Sequence, residues 1–227
     1  MATVSSASVR RLKRIPMTYV VAMVPVAAAL NIVGGAINSA LRLPTFLDMI
    51  GTAVVAITLG PWWGALAGAI TNIGTALLRS PVSLPFAACN IVGALVWGYG
   101  VRWGMGKTYA RYFVLSILVA FFVSLTAVPI YVFVFGGATG HFSDVMTAAF
   151  VAMGRRLWVA VFSSNILVSL ADKIISSFAA LAILEALPEN LTAGVEILKG
   201  QGMQKVIWIT IGLVVGLAIM LFVIFSK

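Results

Sequence analysis

Apolar runs broken by Gly and Pro fill almost the whole chain. A bilayer span needs about 20 apolar residues. Runs of that order predict helices over residues 17–41, 62–78, 84–104, 112–135, about 156–187 and 206–226, with a shorter apolar stretch at 48–60. The breaks are Leu43-Pro44, Gly60-Pro61, Ser80-Pro81, Gly136-Gly137 and Pro188; Gly and Pro punctuate turns because one frees the backbone and the other removes a donor. The stretch 188–205, PENLTAGVEILKGQGMQK, is a polar linker.

The second run is too short to span alone, so a partial span covered by its neighbours is expected. It meets the third at GPWWG (60–64), an uncharged turn with paired Trp residues of the kind that suits a membrane interface. Within the third run, Gly64 and Gly68, and Ala65 and Ala69, stand four apart. That spacing lets helix backbones approach closely. Ala36 and Ala40 repeat it in the first run.

Composition agrees with the pattern. The 227-residue chain is 62% hydrophobic and 9% charged, where a soluble domain carries about 25% charged residues. The class is therefore an all-α polytopic membrane protein. A net charge of +9 does not point to nucleic acid, because the basic residues sit at the ends of apolar runs, where they set topology. With the N-terminus in the cytoplasm, Arg10, Arg11, Lys13, Arg14, Arg102, Lys107, Arg111, Lys199 and Lys205 fall inside. Arg42, Arg79, Arg155, Arg156 and Lys227 fall outside. The excess favours that orientation. The first apolar run reaches about Leu41, longer than the ~7–15 residues of a signal-peptide core, and an uncleaved first helix is expected. The organisation is then a basic N-terminus (1–16), a membrane bundle (17–188), the linker (189–205) and an additional C-terminal helix (206–227).

Catalytic and nucleotide chemistry find little support. Cys89 and His141 each occur once in the chain, so no disulfide framework, metal cluster or paired-His motif is available, and no cofactor is expected. Residues 98–109, GYGVRWGMGKTY, end like a phosphate-binding loop, but Val101 stands where G-x-x-x-x-G-K-[ST] needs its first glycine. An apolar run precedes it where a P-loop has a strand. No Ser–His pair is implied by spacing, and Asp48 and Asp144 are far apart in sequence. An intramembrane protease or transferase, or a ligand-free assembly subunit, stand as the alternatives to a binding protein.

Polar residues within spans are functional suspects because they are costly there. Asn38, Arg42 and Asp48 flank the first outer loop; Asn72 is near mid-depth of the third helix; Arg79 closes it; Asn90 lies in the fourth. The loop GGATGHFSD (136–144) leads to Arg155, Arg156, Trp158, Ser163, Ser164 and Asn165. Convergence of these groups predicts an apolar, outward-facing pocket with a few polar contacts. Asp48, Asn72, Arg79, Asn90, Arg155, Trp158 and Asn165 are its expected ligand contacts. Asp172 and Lys173 also lie deep in an apolar run. Neighbouring helical positions point about 100° apart, so these two are expected not to pair with each other.

The stretch LPTFLDMIGTAVVAITLGPWWGALAGAITNIGTALL (43–78), then SPVSLPFAACNIVGALVWGYG (80–100) and SSNILVSLADKIISSFAALAILEALP (163–188), resembles the substrate-binding S components of energy-coupling factor (ECF) vitamin transporters over residues 17–188. The resemblance implies a six-helix bundle with both ends cytoplasmic. It implies a vitamin-type ligand beneath the first outer loop, with cobalamin and pyridoxine- or pyrimidine-type vitamins as candidates. It also implies a transmembrane coupling subunit and two separate ATP-binding subunits as partners, in the bacterial plasma membrane and with no ATPase of its own. Two features depart from that pattern. The alanine pair used for docking is missing from AMVPVAAAL (22–30), which leaves Ala22, Val26 and Ala29 for that role, and the helix at 206–226 is additional.

Overall fold

The computed structural model describes residues 16–192, 197–198 and 203–225; the basic N-terminus before Pro16, Lys199 and Lys227 lie outside the described residues. The fold is a helical bundle. In chain order it comprises α1 (Met17–Leu41), α2 (Ile50–Thr58), α3 (Pro61–Leu78), α4 (Ala87–Gly100), α5 (Tyr109–Pro129), α6 (Ser143–Ala152), α7 (Leu157–Ala186), the single turn α8 (Glu189–Thr192) and α9 (Met203–Phe225). Three of the described helical stretches are long and apolar enough to cross a bilayer: Met17–Leu41, Tyr109–Val134 and Leu157–Ala186.

The short α2 is the centre of the bundle. Every residue from Gly51 to Thr58 is buried, as expected of a helix apolar all round. It packs on α1, α3, α4 and α7. Small residues make this possible: Gly64 of α3 faces Ala56, and Gly51 lies against the Ala27 backbone of α1. The link to α3 turns at Gly60, whose φ of 128° is open to glycine, and Pro61 takes the first helical position of α3, where its missing N–H costs nothing. At the same end of the bundle, Arg102 donates to the carbonyls of Ala56 and Gly98 at 3.1 and 2.7 Å, tying the last turn of α2 to α4.

Two helices lose regularity at their ends. α4 continues as a π-helical stretch, Val101–Met105, broken at Gly104 (φ 88°). α5 likewise runs into Ile130–Val134 after Pro129, which cannot donate to the helical ladder. The Gly106-Lys107-Thr108 segment is therefore a turn between helices, with Thr108 capping α5 at the Arg111 N–H. No strand precedes it among the described residues.

The sequence pattern placed no helix between 144 and 155, yet α6 forms there. Its Thr147 hydroxyl meets Ser164 of α7 at 2.6 Å. α9 packs on α7, where Gly212 receives Phe178 and Gly216 lies against Ile175. Trp208 stacks on Tyr109 with centroids 5.5 Å apart.

Candidate functional site

A cavity of about 260 Å³ opens beneath loops 42–49 and 136–142, at the end of the bundle away from Arg102. Its walls come from α1, α3, α4, α5 with its extension, α7 and the segments that link them. α1 gives Ser39 and loop 42–49 gives Phe46, Asp48 and Met49; α3 gives Asn72, and the turn before α4 gives Ser83 and Phe86. Cys89 and Asn90 come from α4, Val123, Ala127 and Tyr131 from α5 and its extension, His141 from the second loop, and Asn165, Ser169 and Lys173 from α7.

A continuous chain of hydrogen bonds runs from the core of the bundle to the cavity wall. The Asn31 amide donates to Thr52 and Thr71 at 2.9 and 3.0 Å and accepts from the Gly51 N–H at 2.7 Å. Thr52 donates to Asn90 at 2.7 Å. Asn90 donates to Asn72 at 2.9 Å, and Asn72 donates to the Ser83 carbonyl and hydroxyl at 3.0 and 3.1 Å. Four helices and a turn are thereby registered to one another. Buried polar groups satisfied in this way rigidify a core and single out one arrangement.

Loop 42–49 is pinned from both sides. Asp172 of α7 accepts the N–H groups of Phe46 and Leu47 at 2.9 and 2.7 Å, and Leu47 has a φ of 53°, in the left-handed region that a leucine seldom adopts. Thr45 donates to Asn38 at 2.6 Å. From the second loop, the His141 Nε2–H donates to the Thr45 carbonyl at 2.9 Å. Its Nδ1 accepts from the Ser143 N–H at 3.2 Å, which requires the neutral imidazole. The ring stacks on Phe46 with centroids 4.4 Å apart. Burial pushes the His141 pKa below its ordinary value, opposed by the Thr45 hydrogen bond and by Asp144 and Asp172. Asp144 folds the second loop by accepting the Thr139 and Gly140 N–H groups at 2.7 and 2.6 Å.

The expectation that Asp172 and Lys173 do not pair is corrected here. The Lys173 ammonium forms an ion pair with Asp172, both side chains being buried. Divergent Cβ directions do not prevent this, because the four-carbon lysine stem bends back to its neighbour. The same ammonium lies 5.5 Å from the Phe46 ring centroid.

Of the residues predicted to contact a ligand, Asp48, Asn72, Asn90 and Asn165 line the cavity. Arg79 and Arg155 are exposed and do not line it. Trp158 is 43% exposed and sits edge-on to Phe133 at 5.0 Å. These three sit at helix ends facing outward rather than in the cavity wall. Lys173, Phe46 and Tyr131 were not among the predicted contacts. A signal for the α7 members existed: Asn165, Ser169, Asp172 and Ser176 are all buried, at spacings of four, three and four. That is one inward stripe on an apolar helix.

Residues 19–184, more than half of the chain, match the family model described as ECF transporter, substrate-specific component. No curated protein and no solved structure matches the chain.

Proposed function

The chain belongs to the substrate-specific components of ECF transporters, and from that membership we propose that it captures a small vitamin-type ligand in the cavity beneath loops 42–49 and 136–142 for uptake across the bacterial plasma membrane. The observation that carries this reading is the cavity itself. Five helices and the loops between them bring polar groups to one cavity, and apolar bilayer surroundings offer such groups no other solvent. The bias of Lys and Arg supports a cytoplasmic N-terminus with these loops outside, an orientation in which the ligand enters from the exterior. Transport is driven by a transmembrane coupling subunit and two ATP-binding subunits. Ala22, Val26 and Ala29 are exposed along α1, which leaves a small-residue face free for a helix of the coupling subunit.

Cavity size narrows the candidates. At about 260 Å³ it lies just below the ~300–1,000 Å³ common for small-molecule sites. A single-ring vitamin of the pyridoxine or pyrimidine type matches that volume, and the macrocycle of cobalamin does not. The test is mass spectrometry of small molecules released on denaturing the detergent-purified chain, followed by uptake of the identified compound in cells carrying the whole transporter. A compound bound stoichiometrically and taken up only when this chain is present is expected. A chain that purifies empty and supports no uptake would overturn the reading. Orientation is checked separately by labelling: a cysteine at Lys107 reacts from the cytoplasm and one at Thr139 from outside.

A further inference from the structure

Most polar groups around the cavity already have partners. Asn72 and Asn90 use their amides on each other, on Ser83, on Thr52 and on the Asp48 carbonyl. His141 is held at both nitrogens. Three of the charged and amide side chains of the wall are left open. The Asp48 carboxylate oxygen Oδ1 is buried with no hydrogen-bond partner. The Lys173 ammonium has three donors and a single hydrogen bond, to Asp172. The Asn165 amide accepts from Ser169 through its oxygen at 3.3 Å and has its N–H groups available.

A buried carboxylate oxygen without a donor is expensive, and native proteins seldom leave one. Lys173 eases this cost only in part, since its hydrogen bond goes to Asp172, and burial outweighs it in holding the Asp48 carboxyl above its ordinary pKa. Asp48 and Lys173 nonetheless both line the cavity. Summed over Asp48, Asp172 and Lys173, with His141 neutral, the ionised site carries one uncompensated negative charge. What it lacks is a donor, or a positive charge, at Asp48, together with an acceptor at Lys173 and Asn165. The flanking surfaces are flat rings. Phe46 stacked on His141 covers one side; Phe86, edge-on to Tyr131 at 5.0 Å, forms another.

The geometry points to a specific ligand chemistry, which rests on the capture function proposed above: a single flat nitrogen heterocycle that presents an amino group or protonated ring nitrogen to Asp48 and a ring acceptor to Lys173. A ligand whose only charge is a carboxylate fits poorly, because it would add a second unpaired anion beside Asp48. An all-carbon ring of the same size would leave the Asp48 oxygen as it is.

The test uses the full chain in detergent and three probes of one ring each: an aminopyrimidine, the methylpyrimidine that replaces its amino group with a methyl, and nicotinate. Thermal-shift titrations give the dissociation constants. The aminopyrimidine is expected to bind at least ~10-fold tighter than either of the others, the scale of one hydrogen bond to a charged group. Asp48→Asn, close in shape, is expected to bring the amino and methyl probes within about 3-fold of each other. Equal binding of the amino and methyl probes, or tighter binding of nicotinate, overturns the assignment while leaving the cavity a binding site. These comparisons need only the parent chain, so they hold even if the variant fails to fold. Absence of binding by every probe also overturns it. Mass spectrometry of released compounds then separates the two levels: a released molecule without a donor preserves the capture function, and a chain that releases nothing and binds nothing loses both.

Discussion

Asp172 serves two structures at once. Its Oδ1 holds the N–H groups of Phe46 and Leu47, and its Oδ2 holds Lys173. Removing one partner of a buried ion pair strands the other charge and costs about 3–5 kcal/mol, whereas removing both is often mild. Lys173→Met is therefore expected to destabilise the detergent-purified chain more than the double variant Asp172→Asn, Lys173→Met, read as the thermal midpoint. Additive losses would show that the two charges do not depend on each other. His141 makes a second prediction at this scale. Its folded pKa is depressed below 6.5 mainly by burial, so the unfolded chain takes up a proton first as pH falls. Stability is then level above about pH 7 and declines below about pH 6.5, the direction required when the unfolded state binds more protons. His141→Gln should flatten the profile between about pH 5.5 and 7; an unchanged slope would assign it to other groups. At this scale the sequence showed which residues were costly, through polar types inside apolar runs, and Asp48, Asn72, Asn90 and Asn165 are at the cavity for that reason. It did not show direction. Arg79, Arg155 and Trp158 sit at similar depths in the chain pattern, but their side chains leave the bundle, because an Arg or Trp at a helix end reaches water or the interface at little cost.

The first helix carries two adjacent glycines with different tasks. A methyl on Gly34 would be driven into the Leu47 carbonyl oxygen, whereas on Gly35 it would find the Asp48 Cβ at 3.6 Å, an ordinary contact. Both substitutions gain roughly 0.8–1.0 kcal/mol of helix propensity, so their difference isolates the contact with loop 42–49. Gly35→Ala is expected to be neutral or slightly stabilising. Gly34→Ala is expected to cost about 1–3 kcal/mol, the scale of overpacking, and to weaken ligand binding by displacing the segment that Asp172 holds. Identical midpoints for the two variants would mean that the loop moves freely with α1. Elements of this length were well marked in the sequence. The predicted first helix, 17–41, coincides with Met17–Leu41, because Pro16 and the Arg42–Pro44 turn bound a uniform apolar run. The fourth was extended to 104, where regular helix ends at Gly100 and a π-helical stretch follows; hydropathy does not distinguish the two. α6 was missed because its ten residues are too few for a span, and reading the chain by span length leaves such a helix inside a loop.

At the scale of the whole molecule, α7 divides the work of the bundle. One face turns Asn165, Ser169 and Lys173 to the cavity. The opposite face turns Ala171, Ile175 and Phe178 to Gly212 and Gly216 of α9; at 3.6 residues per turn the two sets lie on opposite sides of the helix. α9 contributes no residue to the cavity wall, so its packing and the site are joined only through the body of α7. The hydrogen-bond chain from Asn31 to Ser83 registers α1 to α4 without it. Deleting residues 200–227 is therefore expected to leave affinity for the co-purified ligand within about 3-fold of the parent, under ~0.7 kcal/mol. The same deletion uncovers the Phe178 and Ile175 side that α9 packs against, and a loss of thermal stability is expected with it. Gly212→Leu, which forces a larger side chain against the Phe178 ring, should reproduce the stability loss in the full-length chain and again spare affinity. A truncated chain that stays folded but no longer binds would show that α9 holds α7 in the register the cavity needs, and that the two faces of α7 are not independent.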